Sequence, residues 1–191
     1  MAASTSEQTP LRASAAAAGL ARRMWRAARL EGALYEEVEA DPAATRQALA
    51  VVLLSALATG VGAIGNSGLR GVALHVGADV ALWVAWAALT LWIGTRLLPT
   101  PHTRADLGQL LRTLGFATAP GALRILAIVP PLGAAAFTVA GLWTLAATVV
   151  ALRQALDYRS TARAAAVCAI GLPVYALGQI VSLLLLGPWP L

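Results

Sequence analysis

From residue 43 onward the chain alternates long apolar runs with short polar breaks. A helix needs about twenty apolar residues to cross the roughly 30 Å hydrocarbon core of a bilayer. Five runs approach that length: Ala43 to Ile64, Val72 to Leu98, Leu110 to Val129, Leu132 to Leu152, and Ala164 to Leu186. The breaks carry turn chemistry, at Gly65-Asn66-Ser67-Gly68, Pro99-Thr100-Pro101, Pro130-Pro131 and Gly187-Pro188-Trp189. Pro120-Gly121 interrupts the third run, and a proline there predicts a kink. The pattern predicts an all-α polytopic membrane protein with five transmembrane helices over residues 42–191.

The chain before residue 42 reads differently. Residues 1–19 are small and polar, which predicts a disordered tail; the same mixture of Ser, Ala and Arg with few acids also fits a transit peptide. Residues 20–41 predict one amphipathic interfacial helix. At 100° per residue Leu20, Met24, Ala27, Leu34, Tyr35 and Val38 share an arc, opposite Arg22, Arg26, Arg29, Glu36 and Glu37. Arg23 and Glu31 intrude on the apolar arc; Arg23 has a stem that reaches out of it. The basic half, with Arg22, Arg23, Arg26 and Arg29, is placed on lipid headgroups. The acidic half, with Glu36, Glu37, Glu39 and Asp41, is expected to lift away and face a membrane or cytosolic protein partner. Asp41-Pro42 reads as a cap and first-turn proline for the next helix.

Charge orients these elements. Every one of the 14 basic residues is an arginine. Arg12, Arg22, Arg23, Arg26, Arg29 and Arg46 fall before or at the first run; Arg96, Arg104 and Arg112 follow the second; Arg153, Arg159 and Arg163 follow the fourth. With five crossings all of these lie on one side, as positive-inside loops do, leaving Arg70 outside and Arg124 within the third run. A third segment folded back on itself would move Arg153, Arg159 and Arg163 to the wrong side. The N-terminus is therefore cytosolic and the C-terminus opposite. A net charge of +5 does not point to nucleic acid, because the arginines cluster at run ends rather than in a stripe with aromatics. With 59% hydrophobic and 12% charged residues, the composition is that of a membrane protein. The single cysteine, Cys168, lies in an apolar run and reads as a small buried hydrophobe.

Little catalytic chemistry is visible. His75 and Asp79 are four residues apart on one face of the second run, and Arg124 lies at similar depth in the third. Ionisable residues inside a bilayer mark functional sites or structural pairs. These three form the candidate intramembrane polar site, either a proton or cation relay or an ion pair between helices. Stripes of small and weakly polar residues read as helix-packing faces: Ser55, Thr59, Gly62 and Asn66; Ala140, Thr144 and Thr148; and Cys168, Gly171, Tyr175, Gln179 and Ser182. No nucleophile elbow, phosphate loop or metal-ligand spacing occurs, so no catalytic residue, cofactor or metal is expected.

Three stretches carry a resemblance: Tyr35-Glu36-Glu37-Val38-Glu39-Ala40-Asp41, Arg112 to Gly121 (RTLGFATAPG), and Leu142-Trp143 with Ala151 to Asp157 (ALRQALD). Over about residues 20 to 187 the chain resembles the YIP family of Rab-interacting membrane proteins, and its prokaryotic branch in particular. The resemblance implies a cytosolic N-terminal segment followed by five spans. It links eukaryotic members to vesicle traffic, Rab GTPases and membrane shaping. This chain lacks the Asp-Leu-Tyr-Gly-Pro motif of many eukaryotic members, so no Rab-type GTPase contact is carried over. The all-Arg, Ala-rich composition points to a bacterial cytoplasmic membrane. The functional expectation is a non-enzymatic scaffold or membrane-organising protein; the alternative is a small transporter or channel using Asp79.

Overall fold

The computed structural model describes residues 4–62, 64–101 and 103–186, with side chains described outside 4–15, 61–71, 130, 183 and 186. It is all-α among the described residues. Seven α-helices follow in order: α1 Ser4–Ala28, α2 Gly32–Ala40, α3 Ala44–Gly62, α4 Ile64–Trp92, α5 Leu107–Ala117, α6 Gly133–Ala155 and α7 Thr161–Leu186. A π-helical turn, Ile93–Leu97, extends α4, and a 3-10 stretch, Ala119–Ile128, extends α5.

The expectation of five spanning helices is corrected. Among the described residues three helices are long and apolar enough to cross a membrane: Val72–Leu97, Gly133–Ala155 and Thr161–Ser182, of 26, 23 and 22 residues. At 1.5 Å per residue the shortest is about 33 Å long, enough for the hydrocarbon core. The first expected run yields a shorter apolar helix, Ala44–Gly60. Its first turns hold Thr45, Arg46 and Gln47, which shortens its apolar length. The third run is not a kinked helix. α5 stops at Ala117, and the chain continues as a 3-10 helix for 10 residues. Pro120 has no N–H to donate and its ring crowds the preceding turn, so the α ladder cannot continue. Thr118 closes α5 instead, donating from Oγ1 to the Gly115 carbonyl at 2.7 Å. The expected break at Gly65–Gly68 is also absent, because the α4 backbone is helical from Ile64.

The expected single helix over 20–41 is two helices. Leu30 takes a left-handed conformation, φ 60, which is uncommon for a non-glycine residue and reverses the chain between α1 and α2. The reversal lets Leu34, Tyr35 and Val38 of α2 bury completely against the bundle. The acidic half is therefore docked, not lifted away. The segment expected as a disordered tail is helical from Ser4 within α1, and residues 1–3 lie outside the described residues.

Close approaches set the bundle's directions. Val72 of α4 meets Gly60 of α3, so α4 returns alongside α3. Gly115 of α5 lies on Ala48, and Gly121 of the 3-10 stretch lies on Ser55. The 3-10 stretch thus runs along α3, in the groove between α3 and α6. Gly171 of α7 accepts the Trp86 ring, and Gly178 accepts Leu82. Gly94 meets Leu156, and Arg163 donates from Nη1 to the Pro99 carbonyl at 3.2 Å. The breaks after α4 and α6 are thereby gathered at the end where α7 begins.

Candidate functional site

Two arrangements could carry function: the α1–α2 layer and a cavity inside the bundle.

The layer is fastened to α5 and α6 by hydrogen bonds, of which the bond from Arg112 to Val38 is buried. Arg112, 9% exposed, donates from Nε to the carbonyl oxygens of Val38 at 3.0 Å and Glu39 at 3.1 Å. A carbonyl at the end of α2 has no partner within its own helix, so a guanidinium there satisfies an orphan acceptor. The α5 side of this joint starts from a capping box. Asp106 accepts from the Gln109 N–H at 2.9 Å, and the Gln109 side chain accepts from the Asp106 N–H at 2.7 Å. Trp143 of α6 donates to the Ala28 carbonyl at 2.7 Å, and Gln154 donates to Glu36 at 3.0 Å. The Tyr35 hydroxyl donates to the Ala27 carbonyl at 3.2 Å, and burial pushes its pKa up.

The structure brings the two candidate surface sets together. Arg23 pairs with Glu37 at 2.9 Å and Asp41 at 3.3 Å, and Arg26 pairs with Glu37 at 2.6 Å and Glu31 at 3.0 Å. Arg23 also donates to Gln47 of α3 at 2.7 Å. Hydrogen bonding to Arg26, and then to Arg23, holds the Glu37 carboxyl below its usual range, while hydrogen bonds to Glu37 and Glu31 raise Arg26. Arg22 and Glu36 are exposed, and Arg29 is exposed beside Glu31 at 3.6 Å. Glu39 is half-buried near Asp157, and burial pushes its carboxyl up to about 7.

The second arrangement is a cavity of about 560 Å³ bounded by α3, α4, α5, the 3-10 stretch, α6 and α7. Asp79 and Arg124 both line it; His75, although buried, does not. Among the described residues no ion pair joins Asp79 to Arg124. Arg124 is held by other means. Its Nη1 donates to Thr59 Oγ1 at 3.5 Å, and its guanidinium lies 5.9 Å from the centre of the Phe137 ring. Thr59 Oγ1 in turn donates to the Ser55 carbonyl at 3.0 Å.

Three buried polar atoms have no hydrogen-bond partner among the described residues and sit on residues of this cavity: Trp83 Nε1, Arg124 Nε and Thr144 Oγ1. A buried polar group left unpaired costs about 1–3 kcal/mol, so three around one space is a notable concentration. The stripes expected to serve packing divide between two tasks. Gly171 packs against Trp86, while Thr144, Thr148, Tyr175 and Gln179 line the cavity, with Gln179 donating to the Tyr175 hydroxyl at 3.0 Å. Gly62 and Asn66 have side chains outside the described residues. Among the described residues no group of three or more His, Cys, Asp or Glu could hold a metal ion.

Sequence reasoning missed Arg112 and Trp143 as fastenings of the layer. Arg112 was countable only as a loop charge, because at 100° per residue it lies opposite Leu110 and Leu114, and α5 is buried on that side as well.

A helical bundle with three apolar helices of membrane-crossing length among the described residues, and a polar layer fastened to it, is the class of protein this structure defines. The Yip1 domain model matches residues 31–183, and the chain belongs to that family. No curated protein and no solved structure matches the chain. Membership accords with a non-enzymatic integral membrane protein whose termini lie on opposite sides of an odd number of spans.

Proposed function

We propose that this chain is a membrane-organising scaffold of a bacterial cytoplasmic membrane, with the α1–α2 layer serving as a cytosolic platform for a protein partner. The observation that carries this reading is the Arg112 joint. A buried cation is spent on backbone carbonyls of α2, where it can only hold the layer in place. Arg23 and Arg26 are paired with Glu31, Glu37 and Asp41 within the layer, and Arg22, Arg29 and Glu36 are exposed. In this reading Arg22 and Arg29 contact headgroups and Glu36 contacts the partner. Glu37 and Asp41 shape the platform through their pairing with Arg23 and Arg26, and Glu39 through its partial burial. A photocrosslinker placed at Glu36 in native membranes tests this. A single stoichiometric adduct supports the platform; no adduct there or at Arg29 contradicts it.

A second reading is a small transporter or channel using Asp79. Its support is that Asp79 lines the cavity together with Arg124, Tyr175 and Gln179. Solute flux in proteoliposomes that disappears in Asp79→Asn would favour it; absence of flux would remove it.

A further inference from the structure

We infer that the interior cavity is a binding site for one zwitterionic phospholipid, its phosphate toward Arg124 and its ammonium toward Asp79. This does not rest on the platform reading.

Three observations converge. First, the cavity holds both signs of charge: Asp79 on α4 and Arg124 on the 3-10 stretch line it without forming an ion pair with each other. A purely anionic ligand would leave Asp79 opposed to like charge. A purely cationic ligand would do the same to Arg124. A ligand carrying both charges satisfies both residues.

Second, three residues of the lining carry buried donors that have no partner among the described residues. Trp83 is 8% exposed, and its Nε1 has no partner among the described residues. Arg124 Nε and Thr144 Oγ1 are also unpartnered there. An indole N–H, a guanidinium N–H and a hydroxyl together suit an acceptor-rich group such as a phosphate diester. The volume of about 560 Å³ falls in the range of small-molecule sites.

Third, the wall reaches the lipid-facing surface. Leu142 is 66% and Leu172 is 38% exposed, and both line the cavity. They lie on α6 and α7, two helices long enough to span the membrane. A surface of leucines beside a charged interior matches a molecule with an acyl chain outside and a polar head inside. The ligand is therefore a lipid of the bilayer, and a water-soluble zwitterion is the competing source.

Native mass spectrometry of the full chain in a non-ionic detergent tests this. The probes are dioleoyl phosphatidylethanolamine, phosphatidylcholine and phosphatidylglycerol, with free phosphoethanolamine as a soluble control. One zwitterionic lipid per chain should be retained in preference to phosphatidylglycerol, with retention falling about tenfold in Arg124→Gln. Asp79→Asn should abolish the preference for zwitterionic over anionic lipid. Gly141 lines the cavity, and a Cβ built there meets nothing within 4 Å, so Gly141→Leu fills the space without disturbing charge or helix. It should reduce retention as strongly as Arg124→Gln. Equal retention of all three lipids, retention unaffected by Gly141→Leu, or displacement of the lipid by phosphoethanolamine alone would each overturn the inference.

Discussion

Arg112 and Glu39 stand 73 residues apart in sequence, yet the guanidinium Nε donates to the Glu39 carbonyl at 3.1 Å. The Val38 carbonyl shares the same nitrogen at 3.0 Å. The bond ties the last turn of α2 to α5, and through α5 to the bundle. Replacing Arg112 with Leu keeps bulk but leaves both carbonyls without that donor. The expected cost is about 2–3 kcal/mol, the loss of a charge-assisted bond from a buried site. The thermal midpoint of the purified chain should fall, and protease cleavage should appear first near Glu39.

The joint has a pH dependence of defined sign. Burial raises the Glu39 carboxyl from 4.5 to about 7, with Asp157, Glu36 and Asp106 adding to the rise and Arg112 opposing it. Between those two values the folded chain holds a proton that the unfolded chain releases. Stability from this group is therefore greatest below 4.5 and falls as pH rises to about 7. Glu37 has the opposite sense, but its lowered carboxyl loses its contribution only below that window. Glu39→Gln should raise the melting temperature at about pH 8 and change it little at about pH 4.5. Equal effects at both would refute the assignment.

Glycine contacts give a paired test. A Cβ at Gly115 would meet the Ala48 Cβ at 2.7 Å and Ala48 backbone at 3.2 Å. Backbone cannot rotate out of the way, so Gly115→Ala should cost about 1–3 kcal/mol by forcing α5 off α3. At Gly77 a Cβ meets nothing within 4 Å. Gly77→Ala should be neutral or stabilise by up to about 1 kcal/mol. Thermal melts of the two variants side by side separate packing from helix propensity.

The Tyr158 hydroxyl closes the π turn after α4. It donates to a shared pair of carbonyls, Leu98 at 2.8 Å and Gly94 at 3.1 Å. Tyr158→Phe removes the donor with no change of shape and should destabilise by about 1 kcal/mol. Hydrogen exchange over residues 93–98 should quicken while that of α6 stays the same.

Much of this architecture was legible in the sequence, for identifiable reasons. The arginines after α4 and α6 did mark breaks that meet at one end of the bundle, because Gly94 packs on Leu156 and Arg163 reaches Pro99. Pro120 did mark an interruption. Its consequence was underestimated, since a kink needs the α ladder to resume, and here a 3-10 ladder replaced it over 10 residues. The reversal at Leu30 carried no signal, because leucine is not a residue that announces a positive φ. Without that turn, Glu37 could not be seen to meet Arg23 and Arg26. The start of α5 was readable from Asp106 and Gln109, spaced as a capping box, although apolar periodicity alone placed it later. Asp79 and Arg124 stood out as intramembrane charges, but the cavity they share is a property of six packed elements that no single segment encodes.

The α1–α2 layer is a fixed part of the bundle, with Leu34, Tyr35 and Val38 fully buried. Hydrogen exchange of α2 amides in the reconstituted chain is the decisive measurement. The amides of Leu34, Tyr35 and Val38 should exchange as slowly as those in the last turns of α6, and Arg112→Leu should release them while leaving α7 protected. Fast exchange of these three amides in the unmodified chain would contradict it.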